Sequence, residues 1–521
     1  MSAAGPPWRF RARPALVATL ACGVAAALGA QPSSAPPLPV QAVTAGAAAA
    51  PAAATPGAAV AALRLAIDSM VSDRAFANAH WGVLIVDPSR GDTLYSRNAG
   101  KLFMPASNQK LLTGAVALSR LGAGFRWRTV LAARGAVRGG VLRGDLAVIG
   151  EGDPSVSDAM RGDVVAALGA LADSLRAHGV RRIAGRLVQA GDAFPGDGYG
   201  FGWAHDDFDA PYSAPVDELF VNDGIARLTF TGARRAGRPA RLRVRPAPGV
   251  VGVVSRVRTA AASEALRARW TGDRYEVTGT VAAGDSVAIE LAIRSPGRAW
   301  LQVLATALRG RGVRVDGGVA VDTAPRRGRA DTLVRWESAT LAEVLPHFEK
   351  ASQNQLGELL LRTLGRVADS AGTPEAGRRV VVAQLAAWGI DSTLAAVRDG
   401  SGLSRHDYVA PEAIVRVLDG ALRLADGAVF RESLPVAGVD GTLARRMRGT
   451  SAQGRVRAKT GLVDKARSLS GYVTTADGST LVFSILCNNW TAPVGAVERV
   501  QDAIAVRLAS LTLAGRDAQR R

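Results

Sequence analysis

Hydrophobic positions in the two outer parts of the chain follow helical and strand-like periods. Apolar residues spaced three and four apart predict helices over residues 58–71, 111–118 and 494–511. Alternating and continuous apolar runs predict five strands, with a turn at 88–91 between the first two. These strands cover residues 81–87, 93–96, 455–460, 468–474 and 479–487. Both outer parts therefore combine helices with strands.

The middle of the chain has a different pattern. From about residue 125 to residue 331, short β-like runs alternate with turns. A chain of 521 residues is too long for one core, since single cores stop growing near roughly 250–300 residues. We therefore predict at least two domains and a β-rich region at 126–330, which divides near Thr229 and Pro296. The β-like runs include residues 142–149, 226–231, 241–244 and 286–293.

The N-terminal portion has the layout of an export signal followed by a tether. Three arginines precede an apolar run at residues 15–28, and small residues follow it. The run is too short and too rich in alanine for a membrane span. We predict a signal peptide at 1–30 and an Ala/Pro-rich linker at 31–57, with a lipoprotein site at Cys22 as the alternative. The mature protein is then exported, periplasmic or associated with the cell wall, and it has no transmembrane anchor.

Charge and composition exclude several functional classes. The formal charge of +19 falls to +16 without the three signal arginines, which favours attraction to anionic wall polymers or outer-membrane lipids. We expect no nucleic-acid partner, because the chain has an export signal and no recognisable binding motif. The five histidines lack metal-ligand spacing, so we predict no metal and no cofactor. Without Cys22 the mature chain keeps only Cys487, which we expect in the core.

Lysine is rare and its positions are uneven. Only five of the 64 basic residues are lysines, and all the others are arginines. Arginine stays protonated in proteins, whereas a desolvated lysine can act as a base. Chance clustering and codon bias also produce such a distribution, so it supports a catalytic use of lysine without proving it. The five are Lys101, Lys110, Lys350, Lys459 and Lys465.

Ser107 and Lys110 form the first of three short motifs. Residues three apart on a helix share a face, so Lys110 lies one turn from the Ser107 hydroxyl in the predicted helix. A buried neutral amine there takes the proton that makes serine a nucleophile. The helix N-terminus favours the negative charge that then develops. Alone, a Ser-x-x-Lys tetrad is common and mostly indicates a surface helix.

Ser352 and Asn354 form the second motif, at the start of another predicted helix. We predict that Ser352 relays a proton between Lys110 and the leaving amine of a substrate. Asn354 is predicted to hold the substrate amide.

The third motif, Lys459–Thr460–Gly461, ends a strand-like run and is predicted to pair with an extended peptide. Lys459 and Thr460 then face the substrate carboxylate. Gly461 lets the backbones approach closely, and the amides of Ser107 and Leu462 form an oxyanion hole.

The ordered set of three motifs is the signature of serine penicillin-binding proteins and β-lactamases. As many as 245 residues separate Ser107 from Ser352, far more than a compact β-lactamase needs, so a folded region is inserted. The chain resembles the class C low-molecular-mass penicillin-binding proteins, the D-Ala-D-Ala carboxypeptidase/endopeptidase family, over nearly all its mature length. The stretches that carry the resemblance are 150–155, 212–215, 221–223, 399–405, 439–443, 458–461 and 468–472.

This resemblance implies an α+β multidomain fold. A transpeptidase-like domain would comprise residues 58–125 and 331–515, interrupted by the β-rich region at 126–330. It would contain an antiparallel sheet with helices on its faces, and an all-helical part that holds Ser352. The last predicted helix would pack beside the first.

The resemblance also implies the activity. It predicts a serine D-Ala-D-Ala carboxypeptidase, with DD-endopeptidase action left open, that forms an acyl-enzyme on Ser107. Its partners would be peptidoglycan stem peptides, with β-lactam antibiotics as inhibitors. Asp153 would approach the free amine of diaminopimelate in the substrate, although an aspartate before Pro154 is also typical of a turn. Asp407 departs from the asparagine usual in the family, which leaves open how its loop is held.

Two other functions remain as alternatives. A β-lactamase or related esterase needs fast deacylation, which class A enzymes achieve with a glutamate-held water. No clear Glu-x-x-x-Asn loop lies between Asn354 and Lys459, and we expect Glu358 to face solvent or to cap a helix pair. A non-catalytic wall-binding protein is the other alternative, but binding alone requires none of the motif residues.

Overall fold

The computed structural model describes residues 56–321 and 330–513. The predicted signal peptide, Cys22 and residues 31–55 of the predicted linker lie outside the described residues, as do residues 514 and 515. The helices are α1 (Pro56–Val71), α2 (Gln109–Leu121), α3 (Asp158–Arg161), α4 (Val164–Ala177), α5 (Pro296–Gly310), α6 (Leu341–Ala351), α7 (Asn354–Asp369), α8 (Pro374–Ala387), α9 (Pro411–Leu422), α10 (Gly427–Ser433) and α11 (Val494–Ala509).

Most of the strands are short. They are β1 (His80–Asp87), β2 (Asp92–Arg97), β3 (Arg128–Arg138), β4 (Val141–Ile149), β5 (Arg182–Ile183), β6 (Leu187–Gln189), β7 (Ile225–Thr231), β8 (Arg241–Arg245), β9 (Val253–Ser255), β10 (Arg258–Ala260), β11 (Arg267–Trp270), β12 (Tyr275–Thr278), β13 (Thr280–Ala282), β14 (Ser286–Ala292), β15 (Arg314–Val315), β16 (Val319–Val321), β17 (Asp331–Glu337), β18 (Ala395–Ala396), β19 (Tyr408–Val409), β20 (Val456–Val463), β21 (Ala466–Thr474) and β22 (Thr480–Asn488).

One five-stranded antiparallel sheet joins the two ends of the described chain. Its order is β2–β1–β22–β21–β20, so all five strands expected from the hydrophobic pattern are present. Helices α1 and α11 pack together over one face, as predicted, around Leu63, Ile67 and Ile504. Helix α9 lies against β1 and β22. Because helices cover it on both sides, the central strand β22 is buried from Leu481 to Asn488, and Cys487 lies in the core.

Helices α2 and α6–α10 form the all-helical part. Helix α2 runs through its centre, with Leu111, Leu112 and Ala115 wholly buried against residues such as Phe348 and Leu356. Each apolar position expected on this helix therefore faces the core. None of the helices in the described ranges has the length and apolar content needed to cross a bilayer.

The region between α2 and α6 forms further layers. Strands β3–β6 and β15–β17 make a mixed sheet on which α4 and α5 pack. Strands β14, β7 and β8 make a separate antiparallel sheet, accompanied by the short strands β9–β13. Strand β7 opens this second sheet at Ile225, close to the division predicted near Thr229, and the limits of the domains stay a prediction. The chain leaves this second sheet after β14, just before Pro296 begins α5. The fold is thus of the α+β multidomain class.

Candidate active site

Ser107 lies in a 3₁₀ turn, Ala106–Asn108, that leads directly into α2. Ala106 has a φ of +48°, a left-handed conformation that costs a non-glycine residue about 1–3 kcal/mol. Two bonds from the sheet hold the turn. Asn108 Nδ2 donates to the Lys459 carbonyl at 2.9 Å, and Ser468 Oγ donates to the Pro105 carbonyl at 2.7 Å. The first and third motifs therefore meet through the backbone.

Lys110 is fully buried beneath Ser107. Its Nζ lies 3.1 Å from Ser107 Oγ, 2.7 Å from Asn354 Oδ1 and 2.6 Å from the Ser401 carbonyl. Burial, together with the positive charge of Lys459, lowers the pKa of Lys110 to about 7, although nearby carboxyl groups oppose the shift. An amine with this pKa is partly neutral at physiological pH. It can then accept the proton of Ser107.

Lys459 is the second buried amine. Its Nζ donates to Ser352 Oγ at 2.7 Å and to the Thr460 carbonyl at 3.0 Å. Burial lowers its pKa to about 8, against the opposing charge of Glu349. Ser352 follows α6 in a left-handed conformation, with φ +59° and ψ +43°, which turns the chain sharply before α7 begins. The second and third motifs therefore meet at the Ser352 hydroxyl.

Asn354 joins the motifs to the middle region of the chain. Its Oδ1 accepts from Lys110, and its Nδ2 donates to the Tyr212 carbonyl at 2.9 Å. The next residue, Gln355, donates from Nε2 to the Pro211 carbonyl at 2.7 Å. Tyr212, nearly half exposed, thus stands beside the second motif. This Tyr-Ser-Ala-Pro stretch is one of those that carry the family resemblance, but no role was predicted for it.

Strand β20, which carries the third motif, is an edge strand of the five-stranded sheet. A Cβ at Gly461 would overlap Ser468 Oγ and would lie 2.8 Å from the Pro105 carbonyl oxygen, so this position requires glycine. Thr460 Oγ1 lies 2.7 Å from Thr442 Oγ1. Leu462 is half exposed at the edge. An edge strand offers its free backbone groups to an added peptide strand.

The loop at residues 399–404, which belongs to none of the three motifs, presents the Ser401 carbonyl to Lys110. The Asp399 carboxylate organises this loop by accepting from the amides of Ser401, Gly402 and Ser404 and from Ser401 Oγ, at 2.6–3.0 Å. Trp203 Nε1 donates to the same carboxylate at 2.9 Å. Burial opposes the ionisation of Asp399, but these hydrogen bonds and one from Asp407 lower its pKa overall.

Asp407 occupies the position where the family usually has asparagine. Its Oδ1 accepts from the amides of Arg398 at 2.6 Å and Asp399 at 3.2 Å. Burial and the adjacent charge of Asp399 raise the pKa of Asp407 well above its ordinary value. A neutral carboxyl accepts through one oxygen and donates through the other, as an asparagine amide does. Asp407 can therefore hold the loop in the same way.

Two buried glutamates complete the surroundings of the lysines. Glu358 does not face solvent as expected, because the loop at Gly400 packs over α7. Its Oε1 accepts from the Gly400 amide at 2.9 Å, and burial with the Asp399 charge raises its pKa to about 8. Glu349 is also fully buried, and burial raises its pKa to about 7 while Lys459 and Lys110 lower it. Its Oε1 lies 2.7 Å from where a Cβ would stand on Gly114, one turn after Lys110.

Asp153, which was predicted to approach a substrate amine, is buried in a turn of the middle region of the chain. Its side chain is only 3% exposed, and its Oδ1 accepts from the Ser155 amide at 2.8 Å and the Ser155 hydroxyl at 2.7 Å. Burial raises its pKa. Only Oδ1 takes part in these bonds, and Oδ2 is buried without a hydrogen-bond partner among the described residues. The contact with a substrate amine stays a prediction, beside the alternative role of a turn aspartate.

Known proteins share this architecture and sequence. The D-alanyl-D-alanine carboxypeptidase of Actinomadura sp. (strain R39) is 36% identical over 467 residues, which cover 86% of this chain and 84% of that protein. The D-alanyl-D-alanine carboxypeptidase DacB of Haemophilus influenzae is 26% identical over 79% of this chain and 85% of its own. The crystal structure of penicillin binding protein 4 from the same species superposes with a TM-score of 0.72, at 24% identity, over 86% of this chain and 99% of that one.

The match to a protein family extends over both outer parts of the chain and the region between them. It spans residues 63–511, which include all three motifs. The chain belongs to the D-Ala-D-Ala carboxypeptidase 3 (S13) family, a family of serine hydrolases.

Proposed function

We propose that this protein hydrolyses the D-alanyl-D-alanine bond of peptidoglycan stem peptides through an acyl-enzyme on Ser107. The observation that carries the proposal is the buried Lys110 amine, 3.1 Å from Ser107 Oγ and with a pKa near 7. A serine hydroxyl next to a neutral amine is an activated nucleophile.

The first step is attack on the substrate carbonyl. Lys110 takes the Ser107 proton as Oγ forms a bond to the carbonyl carbon of the penultimate D-alanine. The amides of Ser107 and Leu462 stabilise the oxyanion. The terminal carboxylate lies near Lys459 and Thr460, while the substrate backbone extends along the edge of β20 and Asn354 holds its amide.

The second step is departure of the terminal D-alanine. Its nitrogen needs a proton as the C–N bond breaks. Ser352 gives its hydroxyl proton to this nitrogen and receives in return the proton that Lys110 took from Ser107, which leaves Lys110 neutral again. The hydrogen bond from Lys459 at 2.7 Å orients the Ser352 hydroxyl. Water then enters, loses its proton to Lys110 and releases the peptide from Ser107.

The inhibitors, the location and the range of substrates of the protein follow from this chemistry. β-Lactams inhibit the protein, since their strained amide imitates the D-Ala-D-Ala bond and acylates the same serine. The substrate is found outside the cytoplasm, so the protein acts in the periplasm or at the cell wall after export by the signal at 1–30. Whether it also cleaves cross-links depends on the room on the leaving-group side, and digestion of purified peptidoglycan with mass analysis of the products separates the two activities.

A β-lactamase would need an additional deacylating base. Three carboxyl groups act on the pKa of Lys110. Asp399 is engaged in the hydrogen bonds of its own loop, while Glu349 and Glu358 are both fully buried and Glu358 is bonded to the Gly400 amide. Neither has the access to solvent that would let it activate a water on the acyl group. The penicilloyl adduct should therefore persist for minutes or longer.

The test is covalent labelling with a fluorescent penicillin, combined with release of D-alanine from a small peptide ending in D-Ala-D-Ala. Ser107→Ala should abolish both, while Ser119→Ala on the same helix α2 should change neither. Equal labelling of the Ser107→Ala protein and its parent would show that another residue is the nucleophile. Return of the labelled protein to its unmodified mass within seconds would favour the β-lactamase alternative.

A further inference from the structure

The positive charge of the chain is concentrated in one stretch. Residues 225–295 contain thirteen arginines, no lysine and five acidic residues, an excess of eight positive charges within a chain whose net charge is +19. This stretch is about a seventh of the sequence. It comprises the sheet β14–β7–β8 and the short strands packed beside it. This part of the fold therefore carries a larger share of the net positive charge than its length alone would give.

Arginines on this sheet line its solvent-exposed face. Buried Ala226, Leu228 and Phe230 alternate along β7 with more exposed residues, so one face of the sheet is core and the other is open. Arg241 and Arg243 point to the open face from β8, about 7 Å apart along the strand. Their cross-strand neighbours on β7 are Thr231 and Thr229, and beyond these on β14 lie Ser286 and Ala288.

Two more arginines stand where β8 begins. Arg238 and Arg258 lie on segments paired through the Thr259 amide and the Arg238 carbonyl, and both are exposed. The Arg258 guanidinium donates to the Gly237 carbonyl at 3.1 Å. We call Arg238, Arg241, Arg243 and Arg258 the arginine face.

The arginine face is not neutralised from within the protein. Elsewhere on the sheet, Arg227 pairs with Glu290 at 3.9 Å and Arg245 with Asp158 at 3.2 Å. In the described ranges, no carboxylate comes within 4 Å of a guanidinium of the arginine face. Asp285, at the turn before β14, is instead bonded to Ser263 and to the Ser286 amide. The four guanidinium groups of the arginine face are therefore available to bind an external partner.

We propose that the arginine face binds peptidoglycan itself, through the carboxylates of stem peptides other than the one being cleaved. Guanidinium groups bind carboxylates bidentately, and a polymer that repeats them can occupy several arginines at once. A second attachment raises the effective concentration of substrate at the site. The choice of peptidoglycan as the ligand rests on the proposed function. The observation that the arginine face is positively charged is independent of that function.

A membrane surface fits this face less well. Peripheral membrane-binding surfaces combine basic residues with apolar side chains that insert between the lipids. The side chains between the arginines on the open face are Thr229, Thr231, Ser286 and Ala288, none of them large and apolar. A flat, polar face of this kind suits an extended polymer.

Binding is measured with the full chain carrying Ser107→Ala, so that the polymer is not digested. The protein is sedimented with purified peptidoglycan freed of proteins and of attached phosphate polymers. The test variant adds Arg238→Ser, Arg241→Ser and Arg243→Ser. The matched control adds Arg120→Ser, Arg309→Ser and Arg499→Ser, three exposed arginines on α2, α5 and α11 that have no ion pair in the described residues.

The expected result is at least a tenfold weaker binding by the test variant, near-parental binding by the control, and loss of parental binding in 0.5 M salt. Equal weakening by both variants, or none by the test variant, would overturn the proposal. So would binding to vesicles containing phosphatidylglycerol as strong as that to peptidoglycan and dependent on the same arginines. With Ser107 present, the test variant should cleave a small D-Ala-D-Ala peptide at the parental rate. Failure of that cleavage in the parent itself would reject the proposed function without touching the binding result.

Discussion

The ionisable side chains around Ser107 are buried and depend on one another for their charge. Lys110, Lys459, Glu349 and Glu358 are all fully buried. Burial disfavours the charged form of every group, and together with neighbouring charges of both signs it brings each pKa to between about 7 and about 8. Removal of one charge therefore alters the protonation of the others.

Lys110 and Lys459 should respond differently to arginine. Lys110→Arg keeps the charge but removes the base, so the rate of acylation by a β-lactam should fall by about a hundredfold or more, the usual contribution of a general base. Lys459→Arg keeps the positive charge that an electrostatic anchor needs. The rate of acylation should therefore fall by only about tenfold, which corresponds to ~1.4 kcal/mol of activation free energy. Stopped-flow acylation measures both. Equal rates in the two variants would contradict the separation of base and anchor.

Glu349→Gln should change the pH profile of acylation mainly on its alkaline side. The groups that face Glu349 are Lys110 from α2 and Lys459 from β20, and its charge raises the pKa of both. Its own pKa is about 7, so it is charged where Lys459, with a pKa of about 8, loses its proton. Without that charge Lys459 deprotonates at lower pH, and the alkaline limb should move down. An unchanged profile would leave Glu349 a purely structural residue.

Asp407→Asn should stabilise the protein increasingly as the pH rises. The folded pKa of Asp407 is raised, so above the unfolded value near 4 the folded state holds a proton that the unfolded state has lost, and stability falls with pH. Asparagine never ionises and avoids this loss. The difference in Tm between variant and parent should be small at pH 5 and larger at pH 8. Asp399→Asn, which weakens the loop acceptor, should destabilise at both pH values.

Short turns at element ends bring the motifs together. The turn before α2 is held by β20 and β21, and the left-handed Ser352 separates α6 from α7. These contacts join residues that are far apart in the chain, so the site assembles only when the sheet and the helical part pack. The close approach of β20 to the Ser107 turn is the tightest of these contacts, because Gly461 leaves no room for a side chain.

Gly461→Ala should impair acylation more than stability. The added Cβ would overlap Ser468 Oγ and crowd the Pro105 carbonyl, which pushes β20 away from the turn and opens the oxyanion hole. Loss of one oxyanion donor typically costs about a hundredfold to a thousandfold in rate. Gly100→Ala, where a Cβ meets nothing within 4 Å, is the matched control. Parental acylation by Gly461→Ala would contradict the geometry described for this strand.

The middle region of the chain contributes directly to the site. The Tyr212 carbonyl accepts from Asn354 of the second motif and the Pro211 carbonyl from the next residue, Gln355, while Trp203 donates to Asp399. The region is thus part of the catalytic environment as well as the support for the arginine face. Its removal would take away the bonds between Asn354 and Tyr212 and between Trp203 and Asp399, two supports of the groups that contact Lys110.

Trp203→Phe should show how the catalytic site depends on the middle region, because it keeps an aromatic side chain at this position. The substitution removes only the hydrogen bond from Nε1 to the Asp399 carboxylate, a bond to a charged group worth about 1.5–3 kcal/mol. The loop that presents Ser401 to Lys110 should loosen, and acylation should slow by about tenfold. Trp270→Phe, on β11, is the control and should acylate normally. Equal effects of both substitutions would indicate general destabilisation.

Local pattern in the sequence was enough to predict the parts of this protein. The periods of apolar residues predicted the five strands, the helices α1, α2 and α11, and the β-like runs of the middle region, because secondary structure with one buried face repeats at a fixed interval. The three motifs predicted the residues now found around Ser107, since their spacing is local. Their catalytic roles remain predictions, as do the limits of the domains.

The tertiary structure decided which side chains are buried and which residues contact one another. Neither property can be derived from the local spacing of residues in the sequence. Asp153 and Glu358 are ordinary acidic residues in the sequence, and both are buried because distant segments cover them. Tyr212 meets Asn354 and Trp203 meets Asp399, each well over a hundred positions away. The arginine face also depends on tertiary structure, because the fold determines whether a carboxylate lies close enough to neutralise each guanidinium. The sequence determined which chemical groups are present, and packing determined which of them share an environment, because desolvation and charge depend on distance in space.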